Sequence, residues 1–171
     1  VVTTKANIGN ADAPRYGADI IECLEASLQK LQMDYVDVYQ MHGVHFSRYD
    51  EVMAEIVPYL QKAQQAGKIK HLGITETSPN DPTHKMLERA VADGVWEVVM
   101  LGYNMMNQTA RERLFPLIQK HGIGTLLMFV VRNIFSQPDY LRNTAKELVA
   151  EGKIPAEFAK KENPLDFLIH E

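Results

Sequence analysis

Short apolar runs alternate with amphipathic stretches along this chain. The alternation repeats at roughly 27 to 35 residues, the length of a strand–helix unit. Ala18 to Leu31 carries Ile20, Ile21, Leu24, Leu28 and Leu31 at helical spacing. Tyr35 to His42 is rich in β-branched and aromatic residues and predicts a buried strand. Asp50 to Ala66 predicts a helix with Val52, Ile56, Tyr59, Leu60 and Ala63 on one side, stopped by Gly67. The next unit is a strand over Ile69 to Thr75 and a helix from Pro82 to Ala92, closed by Gly94. Trp96 to Tyr103 predicts a strand, and Thr109 to Lys120 a helix that buries Leu114, Leu117 and Ile118. Ile123 to Val131 is the most apolar run and is expected to be buried on both faces, as parallel strands usually are. Tyr140 to Glu151 is helical, and Asn163-Pro164 opens a further helix with an N-cap and a favoured first residue.

With the opening run Val1 to Lys5 counted as a strand, strand and helix alternate throughout, which predicts an α/β fold on a parallel sheet. An open doubly wound sheet has the same order. No G-x-G-x-x-G turn follows any strand, so a (β/α)8 TIM-type barrel is preferred. About five strand–helix units are present, whereas a complete barrel needs about 250 residues. The chain starts inside a β-branched run and stops just after a helix opens. Residues 1–171 are therefore expected to be the interior part of one larger domain.

Composition narrows the function classes. The chain has 171 residues, 46% of them hydrophobic and 23% charged, with a formal net charge of -4, enough apolar material for a real core. Mild acidity argues against nucleic acid as the main partner, because phosphate backbones select clustered Lys and Arg. No apolar stretch approaches the roughly 20 residues of a membrane span. Cys23 stands alone, which fits a reducing compartment, and the cytoplasm is the expected location. The oligomeric state is left open.

Two strand-like runs end in residues capable of proton chemistry, Lys5 and His42. In a barrel of parallel strands, the C-terminal strand ends form the face that binds and transforms substrates. Lys5 is either a cation snorkelling to solvent or a functional amine. In the second case it forms a Schiff base or favours the phenolate of a neighbouring tyrosine. His42 is either a satisfied core histidine or a hydrogen-bond donor to a substrate carbonyl. Gly43 beside it permits tight backbone geometry. His45 invites a two-histidine metal site, but no third ligand is evident, and no metal is expected. His71, His121, His84 and His170 read as structural or unpartnered. Thr75-Glu76-Thr77-Ser78 reads as turn chemistry, and Asn104, Asn107 and Gln108 do similar duty one strand later. Arg132, with Asn133, interrupts the fifth apolar run and can grip a phosphate or carboxylate. Met100, Met105, Met106 and Met128 read as core filler.

In its motifs the chain resembles the aldo-keto reductase family. Asp34-Tyr35-Val36-Asp37-Val38-Tyr39-Gln40-Met41-His42, preceded by Ser27-Leu28-Gln29-Lys30-Leu31, is close to the motif that ends in that family's active-site histidine. Ala66 to Thr75, Tyr103-Asn104 and His121-Gly122-Ile123-Gly124 match further landmarks in the right order. The resemblance implies an eight-stranded barrel of which this chain supplies strands three to seven. It also implies an oxidoreductase that uses NADP, with NAD as the other possibility, on small carbonyl compounds, alcohols or sugars. The family's catalytic set is an aspartate, a tyrosine, a lysine and a histidine; Lys5 and His42 match the last two. The matching aspartate and tyrosine would precede residue 1, so these 171 residues alone are expected to be inactive.

Several positions depart from the family pattern. Thr75 and Glu76 stand where the family commonly has Ser-Asn, Met100 where it has a glutamine, and Met128, beside Phe129, where a tyrosine stacks on nicotinamide. The loop after them becomes Phe129-Val130-Val131-Arg132. Thr75, Glu76, Met100, Met128, Phe129 and Arg132 are thus the expected cofactor contacts. The altered positions also motivate a second reading, a non-catalytic ligand- or cofactor-binding protein on the same scaffold. A Schiff-base lyase acting through Lys5 is the third.

Overall fold

The computed structural model describes residues 1–78, 80–104, 107–131 and 136–160, and it divides into two compact units, Val1–Met128 and Phe129–Glu171. In the first unit the path is β1 (Thr3–Asn7), α1 (Gly17–Leu31), β2 (Val36–Val44) and the single turn α2 (Tyr49–Glu51). A π-helical segment (Val52–Ile56) leads directly into α3 (Val57–Gln65). Then follow β3 (Ile69–Glu76), α4 (Lys85–Ala92), β4 (Val98–Gly102), α5 (Leu114–His121) and β5 (Gly124–Met128). The five strands are all parallel and lie in the order β1-β2-β3-β4-β5. Each strand is laid beside its predecessor with no reversal of direction across the sheet. A doubly wound sheet reverses at its switch point, so this order is that of a barrel wall.

Alternation along the strands sorts the two faces. Ala6, Tyr39, Met41, Leu72, Ile74, Val99 and Leu101 point to the helix layer and join Ile20, Leu24, Leu60, Leu87 and Ile118 in one buried cluster. Tyr39 carries its phenol across that boundary and donates to the Ile20 carbonyl at 3.0 Å. Burial raises its pKa well above the ordinary phenol value. Trp96 donates its indole N–H to the Tyr49 hydroxyl at 3.1 Å, which fastens α2 to the segment between α4 and β4.

The helical stretch expected over Asp50 to Ala66 is present, with one departure. Pro58 has no N–H to give, and the preceding Val57 N–H bonds back to Val52, five residues away. A widened turn is how a helix accepts a proline without breaking. The helix expected from Pro82 begins only at Lys85, because Asp81 turns its carboxylate onto the Lys85 and Met86 N–H groups and holds Pro82 to His84 outside. The helix expected over Thr109 to Lys120 splits into a 3-10 turn, Thr109–Arg111, and α5.

One expectation fails. Ile123 to Val131 is not buried on both faces: the strand is only Gly124–Met128, with Gly124, Thr125 and Leu127 exposed. In the described sheet β5 is an outer strand that pairs with β4 alone. Phe129, Val130 and Val131 beyond it are exposed as well.

The second unit contains α6 (Pro138–Ala150) and a 3-10 turn over Ala156–Ala159. Phe129 opens it with a φ of 60°. Met105, Met106, Arg132, Asn133 and the helix expected from Asn163-Pro164 lie outside the described residues. No described helix is long and apolar enough to cross a membrane.

Candidate active site

The face of the sheet turned away from the helices carries the residues that the sequence singles out, Lys5 and His42. Lys5 is in register with Gln40, and Asn7 with His42, so these four side chains project to the same side of β1 and β2. Lys5 lies within β1 rather than at its end, two residues before Asn7. His42 sits where the β2–β3 ladder slips. Met41 pairs with Ile74 and Val44 with Glu76, leaving two residues, His42 and Gly43, against the single Thr75. This is a β-bulge, a device that re-aims a side chain at the end of a strand. Gly43 takes the turn with a φ of 63°, and the N–H freed from the ladder donates to Thr75 Oγ1 at 2.7 Å. Thr75 is thereby assigned a local task, satisfying the backbone beside His42.

His42 is exposed at the rim, and two causes hold its imidazole below its ordinary pKa: desolvation by the surrounding protein first, then the charge of the Lys5 ammonium. The second is the electrostatic signature of the two groups lying near one another. A cleft of about 470 Å³ opens at this rim and is lined by Asn7, Gly9, Asn10, Arg15, His42 and Gly43, among others. Lys5 is not part of that lining.

The loop between β1 and α1 is firmly built. Gly9 bridges Pro14, and the Arg15 N–H donates to the Ile8 carbonyl at 2.9 Å. A Cβ at Gly9 would lie 2.1 Å from the Ala13 carbonyl oxygen, so only glycine closes this turn. Arg48, from the segment after β2, donates to the carbonyls of Gly9 (2.8 Å) and Ile8 (3.3 Å) while Glu51 grips its guanidinium at 2.9 and 2.8 Å. The two loops that frame His42 are thus tied together.

The remaining expected positions are distributed as follows. Thr75, Met100 and Met128 are on the open face by register, Thr75 buried and the two thioethers half-buried. Glu76 points the other way, into the helix side. Its Oε1 accepts from the Gly102 N–H at 2.8 Å and its Oε2 lies 2.7 Å from His84 Nδ1, with both side chains about 1% exposed. His84 Nε2 is in turn 3.0 Å from the Thr109 hydroxyl. Phe129 belongs to the second unit and is exposed, and Arg132 is outside the described residues. His45, weighed as a metal ligand, instead caps a 3-10 turn, accepting from the Ser47 N–H at 3.3 Å. Among the described residues no group of three His, Cys, Asp or Glu is placed to hold a metal ion.

The sequence left His84 without a partner, where the structure gives it Glu76 and Thr109, and it assigned Arg15 no role. His84 is nearly inaccessible and adopts a φ of 59°, a conformation that only its fixed partners explain, and no local pattern announces it. Arg15 was readable as one polar residue in a loop of Asn, Gly, Asp and Pro; its position over the cleft follows from the Gly9–Pro14 bridge.

Sheet order, bulge and open face together describe a barrel-wall segment, and comparison with known proteins gives that segment a family. The Aldo/keto reductase family profile matches residues 1–156, and the chain belongs to that family. It is 31% identical over 103 residues to the L-galactose dehydrogenase of Arabidopsis thaliana, spanning 60% of this chain and 32% of that protein. It is 28% identical over 104 residues to the NADH-specific methylglyoxal reductase of Escherichia coli (strain K12), spanning 61% of this chain and 30% of that one. Among solved structures it superposes on the holo form of aldo-keto reductase AKR11C1 from Bacillus halodurans with a TM-score of 0.58 and 28% identity, over 73% of this chain and 39% of that chain. The chain therefore spans between 30% and 39% of the length of these relatives. The fold is α/β, a parallel five-stranded part of the aldo-keto reductase barrel.

Proposed function

We propose that the protein containing this chain is an NAD(P)-dependent oxidoreductase interconverting a small aldehyde or ketone, or a sugar, with the corresponding alcohol. NADP is the first candidate, and NAD the second, since one relative is by name NADH-specific. The observation that carries the reading is the shared face of Lys5, Asn7, Gln40 and His42, with His42 re-aimed by the bulge.

The open face fits a nicotinamide. Met100 and Met128 offer half-buried thioether surface suited to a planar ring, and Gln40 Oε1 and Thr77 Oγ1 are buried oxygens without a hydrogen-bond partner among the described residues. When bound, the dinucleotide supplies the hydride, so that carbonyl compound, NAD(P)H and a proton balance alcohol and NAD(P)+. The chain's own residues orient and polarise. His42, kept neutral near pH 7 by desolvation and by Lys5, donates an N–H to the carbonyl oxygen and places its carbon. Lys5 supplies a fixed positive charge that favours the anionic form of an adjacent tyrosine, the acid/base group that the family resemblance implies. Thr75 keeps the His42–Gly43 backbone in its bulge.

The test uses the full-length protein. Mixing with NADPH or NADH is expected to change the coenzyme's fluorescence, and small aldehydes to oxidise it. Lys5→Met or His42→Gln is expected to lower kcat by about 10²- to 10⁴-fold. Coenzyme binding with no turnover of any aldehyde or sugar would instead support a non-catalytic binder. The observation favouring that second reading is Glu76, which stands where an asparagine is usual and commits its carboxyl group to Gly102 and His84.

A further inference from the structure

Resting on the oxidoreductase reading, we infer that the cleft beside His42 seats an anionic substituent of the substrate, a carboxylate or phosphate carried by the carbonyl compound, with Arg15 as its receptor.

Arg48, Arg89 and Arg113 each lie against a carboxylate, those of Glu51, Asp50 and Glu88. Arg15, like Arg111 with Gln108, meets a neutral group instead, the amide oxygen of Asn7, at 3.2 Å from one terminal nitrogen, and of the two only Arg15 lines the cleft. A guanidinium has five N–H donors in a planar fork, and this contact uses one of them. The side chain is exposed and lines the same cleft of about 470 Å³ as His42. No Asp or Glu lines that cleft. Lys5 adds positive potential from the neighbouring register position, felt by His42 itself. A concave site with a guanidinium and a neutral imidazole at its rim, an ammonium near it and no lining carboxylate attracts anions.

The receptor is also preorganised. The Gly9–Pro14 bridge, the Arg15 N–H to Ile8 carbonyl bond and the two Arg48 bonds fix the loop that presents Arg15. Ordering a loop upon binding costs affinity, and here that ordering precedes the ligand. Arg48 ties this loop to the segment after β2, and the single bond from Arg15 to Asn7 leaves the rest of its fork for a ligand. Carboxylate and phosphate share the chemistry a guanidinium recognises, two oxygens in one plane. The anion is bound and released unchanged, while the reaction at the carbonyl proceeds as written above. Arg15 is a specificity residue.

The experiment compares kcat/KM of the full-length protein for glyceraldehyde, glyceraldehyde 3-phosphate and succinic semialdehyde. Arg15→Gln is expected to lower the ratio of anionic to neutral substrate by about tenfold, mainly through KM, and Arg15→Lys to recover part of it. A response confined to the phosphate or to the carboxylate supports the inference and identifies the anion. A fall smaller than about threefold for both anionic aldehydes overturns it. If no aldehyde is turned over, the oxidoreductase reading fails by itself. Inorganic phosphate and succinate are then titrated against the His42 imidazole signal by NMR. A saturable shift weakened by Arg15→Gln keeps the anion site, and its absence removes it.

Discussion

Lys5 and His42 interact through charge rather than through a hydrogen bond, and this has a measurable sign. Desolvation and the Lys5 ammonium both disfavour the imidazolium. Lys5→Met is therefore expected to raise the His42 pKa toward the ordinary 6.5 while leaving the desolvation contribution in place, as followed by NMR titration. The same shift bears on stability. Below 6.5 the unfolded chain protonates this histidine more readily than the folded one does, so stability attributable to His42 falls as pH drops from 6.5 through the folded-state pKa and is recovered as pH rises. Chemical denaturation of wild type and Lys5→Met across that window is expected to show a shallower pH slope in the variant.

Gly73 illustrates a different kind of residue-scale constraint. A Cβ there would lie 2.7 Å from Gln40 Cγ and 3.3 Å from the Val98 carbonyl oxygen. Gly73→Ala is expected to cost about 1–3 kcal/mol by overpacking, read from the urea midpoint, and to displace Gln40 from Thr3, to which its amide donates at 2.8 Å.

Among the elements, the seam between β3 and β4 depends on a side chain. Glu76 ties the end of β3 to the Gly102 N–H at the end of β4 and to His84 at the start of α4. Removing His84 leaves a buried acceptor without its partner, which alone costs about 1–3 kcal/mol. His84→Ala is expected to lose at least that much in denaturant titrations. The Glu76→Gln/His84→Ala pair is expected to lose less than the sum, because the two changes share one bond.

The strand–helix alternation was legible because each strand run is compact and apolar and each helix carries its own periodicity. The departures have specific sources. Asp81 redirects its carboxylate to α4 and delays that helix, and Pro58 imposes the widened turn. For Ile123 to Val131, an apolar composition did not mark where the strand ends, at Met128. In the site, the reactive residue types at Lys5 and His42 were readable from strand position and family motif. The bulge was not, since slippage between Met41 and Val44 depends on the partner strand. The inward turn of Glu76 depends likewise on Gly102 and His84, which are distant in the chain.

At the scale of these 171 residues, the outer strands of the described sheet set the expected behaviour. In the described sheet β1 and β5 each pair with one neighbour, and Leu127 on β5 is 45% exposed. Edges with unpaired N–H and C=O groups template association with other strands. The 171-residue polypeptide produced on its own is therefore expected to self-associate with rising concentration in sedimentation velocity runs, and Leu127→Lys to shift it toward monomer. Equal sedimentation of the two at every concentration would show that these edges are covered in solution.

The Arg48 tether gives the molecule a handle well removed from the chemistry. Because one guanidinium clasps the carbonyls of Ile8 and Gly9 while anchored to Glu51, the two segments flanking His42 are mechanically coupled. Arg48→Ala would let the first of them drift, blurring the register between Arg15 and the imidazole without removing either group. Looser selectivity from a mutation that contacts no ligand would then be the fingerprint of that linkage.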